Sequence, residues 1–302
     1  MSRGRIDAAV PEEGSIAALN HDGEGVVRGA KTVFVAGALP GERVRYARVR
    51  KHRAYDEAKL LEILEPAPDR VVPKCAHFGV CGGCALQHLA PEAQLAAKQR
   101  ELADNLSRIG KVSPARWLPP VTGPVWGYRR RARLGVKYVL KRGEVLVGFR
   151  ERGKPYIAAL ERCEILAPPV DALIAPLKAM IGALAARDRI AQIEVAVADT
   201  ATVLVLRNLD PLGAADREAL ARFETTHGVQ IHLQPGGHDT IHPLGETATP
   251  LRYALPAHDL QFEFRATDFV QVNAATNARL VALALESLQL GAEDRVLDLF
   301  CG

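Results

Sequence analysis

The chain has 302 residues, enough for two or three domains of ordinary size. Hydrophobic residues make up 48% and charged residues 25%, the balance of a globular protein with a sizeable core. The 5% aromatic share leaves that core mainly to Val, Leu, Ile and Ala. A net charge of +4 is only mildly basic, so an argument for a polyanionic partner has to rest on where the charge sits.

Met1–Asp7 carries no apolar stretch of the signal-peptide kind. Residues 14–64 read as short strands. Apolar positions alternate through Thr32–Val35 and Arg43–Arg50, and Gly23, Gly25, Gly29, Gly37 and Pro40-Gly41 punctuate them, which is the pattern of a small β-barrel. Pro66, Pro68 and Pro73 mark a linker, and 75–88 is a cysteine-rich loop. Pro91 opens a helix that runs to about Ile109, with Gly110 beyond its end. Residues 126–165 return to strand character. The most apolar helix candidate, Val170–Ala186, is interrupted by Asp171 and Lys178 and is short for a bilayer, so it reads as a half-buried helix. A hairpin fits Gln192–Leu209, and single strands fit Val229–Leu233 and Leu260–Phe264. Asn273 caps a helix over Ala274–Leu290 that Gly291 closes, and Arg295–Phe300 reads as a strand. There is no internal repeat and no low-complexity tract. These features predict a cytoplasmic protein without a membrane partner. Stable disulfides are then not expected, and the cysteines need another explanation.

Cys75, Cys81 and Cys84 form C-x5-C-x2-C, and Cys163 lies far downstream. Three thiols on a loop containing Gly79, Gly82 and Gly83, plus one remote thiol, suit a [4Fe–4S] cluster. Four thiolates also suit structural zinc, although no second C-x2-C pair is present, and unliganded thiols are the third reading. His77 and His88 flank the motif and read as loop or surface residues.

Two stretches are basic and free of acids. One holds Arg43, Arg45, Arg48, Arg50, Lys51 and Arg53. The other holds Arg129, Arg130, Arg131, Arg133, Lys137, Lys141 and Arg142, beside Trp126 and Tyr128. Each alone is as consistent with a solvated face. Together they point to nucleic acid, whose backbone rewards concentrated charge through counterion release and whose unpaired bases stack on aromatic rings. Near the end, Val296-Leu297-Asp298-Leu299-Phe300-Cys301-Gly302 has the form of a first strand entering a Gly-rich cofactor turn.

In combination, C-x5-C-x2-C with Cys163, Phe269-x-Gln271-Val272-Asn273 and Val296–Gly302 resemble the RNA uracil-C5 methyltransferases. Gly23-Glu24-Gly25-Val26, Lys31–Val35 and Leu39-Pro40-Gly41-Glu42 are similar to a TRAM domain, an OB-like RNA-binding barrel. Carrying both the barrel and the cysteine set resembles the branch acting on 23S rRNA. The resemblance implies a multidomain protein. Residues 1–68 would be the TRAM β-barrel, 69–262 an α+β central domain with the iron–sulfur loop, and 263–302 the beginning of a Rossmann-like α/β methyltransferase domain. The helix at about 92–110 would pack on that last domain. It further implies S-adenosyl-L-methionine as cofactor, contacted by Gln271 and Phe300, and a [4Fe–4S] cluster on Cys75, Cys81, Cys84 and Cys163. The partner would be 23S rRNA and the protein a monomer. The family methylates uracil C5 through covalent addition of a cysteine to C6. Cys301 matches the cofactor motif, not that nucleophile, so no catalytic residue is assigned. The expectation is that these 302 residues alone do not methylate RNA. The alternative is a non-catalytic RNA-binding protein with a structural metal or iron–sulfur site.

Overall fold

The computed structural model describes residues 10–299. The chain divides into two compact units. One runs to Leu118 and takes in Arg150–Tyr156; the other comprises Pro119–Phe149 and the chain from Ile157 onward.

The first unit begins with five strands: β1 (Glu12–Leu19), β2 (Gly25–Val27), β3 (Thr32–Ala36), β4 (Arg43–Lys51) and β5 (Tyr55–Glu65). They close into a barrel in the order β1-β2-β3-β5-β4, with β4 pairing back onto β1. Only β3 and β5 run parallel. The period-2 pattern sets the inside: Ile16, Val27, Val33, Val35, Val44, Tyr46 and Ala58 form the barrel core, while alternate residues face out. An ion-pair chain closes one end. Lys31 Nζ lies 2.6 Å from Asp56 Oδ1, Arg48 Nη1 lies 2.6 Å from Asp56 Oδ2, and Arg48 Nε lies 2.7 Å from Glu12 Oε1. Burial pushes the Asp56 carboxyl up, but hydrogen bonds from Lys31 and Arg48 outweigh it and hold it below its ordinary value.

Glu42, fully buried, ties the linker to the barrel. Its carboxylate accepts from the Leu39 N–H at 2.8 Å, the Ala67 N–H at 3.4 Å and Arg70 Nη2 at 2.9 Å, while Arg70 Nη2 also reaches the Gly37 carbonyl at 2.7 Å. Helix α1 spans Pro91–Asn105 with the proline in its first turn, and Leu106–Gly110 continues it as wide π turns. Gln94 fastens its start by donating to the carbonyls of Leu86 and Leu89. The predicted stop at Gly110 moves by one residue: Gly110 belongs to the π turn, and Lys111 takes the left-handed conformation.

The second unit holds a six-stranded sheet in the order β11-β10-β9-β8-β6-β7. Its strands are β6 (Arg131–Val139), β7 (Glu144–Gly148), β8 (Ile190–Val197), β9 (Thr202–Asn208), β10 (Gln230–Leu233) and β11 (His242–Pro243). The predicted hairpin is β8–β9. Helix α2 (Ile174–Ala183) buries Ile174, Leu177 and Ile181 and packs against β7, as its apolar content requires. Helix α3 (Ala214–His227) has no counterpart among the sequence-based elements. It is the crossover that the parallel pair β9–β10 demands, and Gly228 ends it in the left-handed conformation. A second hairpin joins β12 (Leu251–Leu255) to β13 (Leu260–Phe264).

Helix α4 (Ala274–Leu288) starts as expected, with Asn273 Oδ1 accepting the Thr276 N–H at 3.1 Å. It ends earlier than expected. Gln289 takes the left-handed turn, and the Gly291 N–H instead donates to Asp294 Oδ2 at 2.7 Å. The expected strand at Arg295–Phe300 is not formed over Arg295–Leu299, because strand hydrogen bonds come from a neighbour and no described strand pairs there. Phe300 lies outside the described residues. No described helix is long and apolar enough to cross a membrane.

Candidate functional site

The structure changes the meaning of the β4 arginines. Their stretch is free of acids only along the sequence. The barrel register sets β4 between β1 and β5, and both neighbours are acidic. Arg43 pairs with Glu13 at 2.9 Å and Glu65 at 3.1 Å; Arg45 pairs with Glu13 at 3.0 Å and Glu62 at 2.6 Å. Arg48 holds Glu12 and Asp56, and Arg50 lies 3.3 Å from Glu57. Hydrogen bonds from Arg43 and Arg45 lower the Glu13 carboxyl, so it stays charged opposite them. Arg43, Arg45, Arg48 and Arg50 are thus matched by carboxylates, and the expectation that they present bare positive charge is corrected; Lys51 and Arg53 of the same stretch are exposed and in no ion pair among the described residues.

The cysteine loop belongs to the same unit. Cys75, Cys81 and Cys84 are half-buried. Gly79 at φ +88° turns the chain between the first two. Gly82 approaches Arg150 so closely that its N–H donates to the Arg150 carbonyl at 2.8 Å, where a Cβ would sit 3.0 Å from that oxygen. Arg152 closes the loop from the same side, its N–H donating to the Val80 carbonyl and its guanidinium to the Cys84 carbonyl at 3.3 Å. The Gly83 N–H points at Cys81 Sγ at 3.4 Å. Burial pushes the Cys81 thiol up, with smaller contributions in the same direction from Cys84 and Cys75, so the three sulfurs share one neighbourhood. Cys163 is buried in the second unit, its N–H donating to the Asp171 carbonyl at 3.2 Å. Among the described residues, no group of three or more His, Cys, Asp or Glu is gathered tightly enough to hold a metal ion. The donor set still fits a soft metal centre in kind: clustered sulfurs, glycines where backbone approaches, and an N–H aimed at a sulfur. His88 is not the surface residue expected. It is buried against Phe78, and neither ring nitrogen has a hydrogen-bond partner among the described residues. Burial, then the Arg70 charge, push its pKa down to about 4, so the ring is neutral.

In the second unit, Gln271 stands on the segment leading into α4 and borders a cavity of about 280 Å³. Arg130, Asp199, Tyr253, Phe264 and Asn277 contribute to its walls. Arg130 lies 2.5 Å from Asp199 Oδ1, and Asp199 Oδ2 accepts the Ala254 N–H at 3.0 Å. The Arg130 N–H donates to the Val272 carbonyl at 3.0 Å, and Asn273 Nδ2 donates to the Pro124 carbonyl at 3.1 Å, fixing the segment that carries Gln271. Phe269 of the same motif is 85% exposed. The cavity therefore combines an aromatic wall, one ion pair and two uncharged amides, Gln271 and Asn277, a mixed lining suited to a polar small molecule with a flat ring. Asp199 was not singled out by its sequence context. Its Asp199-Thr200 dipeptide marks only the turn between β8 and β9, and Tyr253 arrives from a hairpin half seen in sequence.

No family model matches this chain. Curated relatives do. The chain is 53% identical over 95% of its length to a 23S rRNA (uracil(1939)-C(5))-methyltransferase RlmD of Bordetella parapertussis, of which it covers 62%. It is 50% identical over 97% of its length to the RlmD of Nitrosococcus oceani, covering 66%. With the RlmD of Stenotrophomonas maltophilia it shares 46% identity over its whole length and 68% of the relative. The chain thus spans roughly two thirds of these relatives. Among solved structures, a Pyrococcus abyssi tRNA (uracil-54, C5)-methyltransferase in complex with S-adenosyl-L-homocysteine superposes with a TM-score of 0.66 at 20% identity, over 91% of this chain and 64% of that one, and so shares its fold. By the extent and identity of these matches, the chain belongs to the RlmD family of 23S rRNA (uracil(1939)-C(5))-methyltransferases.

Proposed function

We propose that this chain supplies the RNA-binding and cofactor-entry parts of an S-adenosylmethionine-dependent enzyme that methylates uracil C5 in 23S rRNA, acting as a monomer. The observation that carries the reading is identity of 46–53%, over nearly the whole chain, to relatives named for that reaction. Residues 1–68 act as the TRAM barrel, 69–262 as the central domain and 263–302 as the opening of the cofactor domain. Gln271, held beside its cavity by Arg130 and Asn273, contacts S-adenosylmethionine, and Phe300 supplies a second contact. The cofactor, when bound, supplies the methyl group. Uracil C5 is a poor nucleophile; a thiolate that adds to C6 creates an enolate able to take that methyl, after which a base removes the C5 proton and the thiol leaves. No residue of this chain is assigned as that thiolate or base.

Cys75, Cys81, Cys84 and Cys163 are the proposed ligands of a [4Fe–4S] cluster whose role is folding and RNA contact rather than electron transfer. Iron and sulfide with visible charge-transfer absorbance after anaerobic purification support it, whereas one zinc and no iron would rule it out. The methylation itself is tested by complementation. These 302 residues, exchanged for the matching segment of an RlmD relative and expressed in a bacterium lacking its own enzyme, should restore 5-methyluridine at position 1939 of 23S rRNA, read by mass spectrometry of nuclease fragments, whereas the 302 residues alone should not. A folded chimaera in such cells with position 1939 still unmethylated refutes the reading.

A further inference from the structure

We infer that the outer face of β3 and β5, with the turn that precedes β5, is a stacking platform for unpaired bases of RNA. The inference rests on the RNA partner proposed above and deepens it by saying where on the barrel that partner lies.

Strand alternation sends Thr32, Phe34 and Ala36 of β3 outward, and Tyr55, Glu57 and Lys59 of β5 with them. Phe34 and Tyr55 are half-exposed, with ring centroids 4.9 Å apart at a tilt of 44°. His52, from the turn between β4 and β5, stacks on Tyr55 at 4.3 Å and 19°. The turn is fixed from beneath. The His52 N–H donates to the Tyr55 carbonyl at 3.0 Å, the Lys31 ammonium bonds the His52 carbonyl, and His52 Nε2 lies 2.7 Å from Glu57 Oε1. Three rings thus form one pre-ordered row open to solvent, in a chain where aromatic residues are scarce. A rigid row loses little entropy when a flat ring is laid on it.

Charge points to the same occupant. Arg28, Lys51, Arg53 and Lys59 surround the row and are exposed, and none is in an ion pair with a carboxylate among the described residues. The one acid in the row, Glu57, is held by Arg50 and His52. The neighbouring β4 ladder has no such surplus, because its arginines have their own carboxylates. Rings that accept any base face, flanked by cations at backbone reach, match single-stranded RNA. In a duplex the base faces are already stacked on one another.

Fluorescence anisotropy with the 302-residue chain tests the idea. The probes are a labelled single strand of 23S rRNA sequence around the target uridine and the same strand closed into a duplex. Tyr55→Leu keeps apolar volume without the ring and should weaken single-strand binding about five- to one-hundred-fold, with an unchanged salt slope. Tyr55→Phe should restore it, and His52→Ala should weaken it without touching the strand itself. Arg53→Ala with Lys59→Ala should instead lower the salt slope by about two. The duplex should bind more weakly and ignore Tyr55. If the parent chain binds the RNA but Tyr55→Leu and His52→Ala bind equally well, the platform is wrong and the RNA partner stands. If the parent chain binds no 23S rRNA strand, both fall.

Discussion

The barrel and the six-stranded sheet each place a run of arginines on one strand, and the two runs end with different charge. On β4, Arg43, Arg45, Arg48 and Arg50 meet Glu12, Glu13, Asp56, Glu57, Glu62 and Glu65 on flanking strands, and these arginines keep no positive surplus. On β6, Arg131 and Arg133 share one carboxylate, Glu194, whose side chain is 6% exposed. Lys137 and Lys141 lie exposed beyond them, without an ion pair among the described residues. Local sequence therefore counts the cations on a strand but not the charge left for a polyanion. The partner strands decide that, and the partners are set by topology.

Each region also depends on one buried carboxylate, and removing it should separate the two most sharply. Glu42→Ala leaves the Arg70 guanidinium half-buried and two backbone N–H groups without their acceptor. It should cost about 3–5 kcal/mol, the usual penalty for breaking a buried pair from one side. The effect should depend on pH in a defined direction. Burial raises the Glu42 carboxyl, but Arg70 and the Leu39 N–H outweigh it, so its folded value lies below the unfolded one. The stabilisation is then complete above the unfolded value of about 4.3 and fades as pH falls through the lower, folded value. Urea midpoints of the parent and Glu42→Gln should converge in acid. A gap that widens below pH 4 would contradict the assignment.

Glu194→Ala should cost less, about 1–3 kcal/mol, because only one of its two arginine partners is left stranded, and Gln192, its third partner, is half-buried and can turn to water. Arg133 is 63% exposed and rehydrates, whereas Arg131 is 16% exposed and keeps only its bonds to carbonyl oxygens, including that of Ala266. The same change adds to the positive surplus on β6, so single-stranded RNA should bind more tightly at low salt and show a steeper salt slope. Unchanged binding would mean that β6 does not face the RNA.

How much of this was legible follows from what is local. The barrel core shows in the alternation of Val33, Val35, Val44 and Tyr46, and the start of α4 in Asn273, because pattern and cap act within a few residues. The cysteine loop and Gln271 were found as motifs. The neutralised ladder was hidden because its acids lie on β1 and β5, up to 36 residues from their arginines. The cavity beside Gln271 was half hidden for the same reason, since Asp199 and Tyr253 reach it from a turn and a hairpin that no motif connects. His88 reads as polar loop and is buried, because its carbonyl accepts the Val71 N–H and draws the loop onto the linker. Helix α3 escaped because its need arises from the parallel pairing of β9 and β10, which is itself tertiary.

The smallest expected effect tests the ladder itself. Arg45 bridges Glu13 and Glu62 in the open, where solvent screens the attraction and holding long side chains in place costs entropy. Arg45→Ala should leave the urea midpoint at moderate salt where it was, with a drop appearing only at low ionic strength. It should also leave the salt slope of RNA binding unchanged, in contrast to Arg53→Ala with Lys59→Ala, since a cation already matched by its own carboxylates releases few counterions. A slope reduced as much by Arg45→Ala as by losing one of those free cations would mean that RNA strips the ladder of its acids, and the neutral face of the barrel would then belong to the RNA surface.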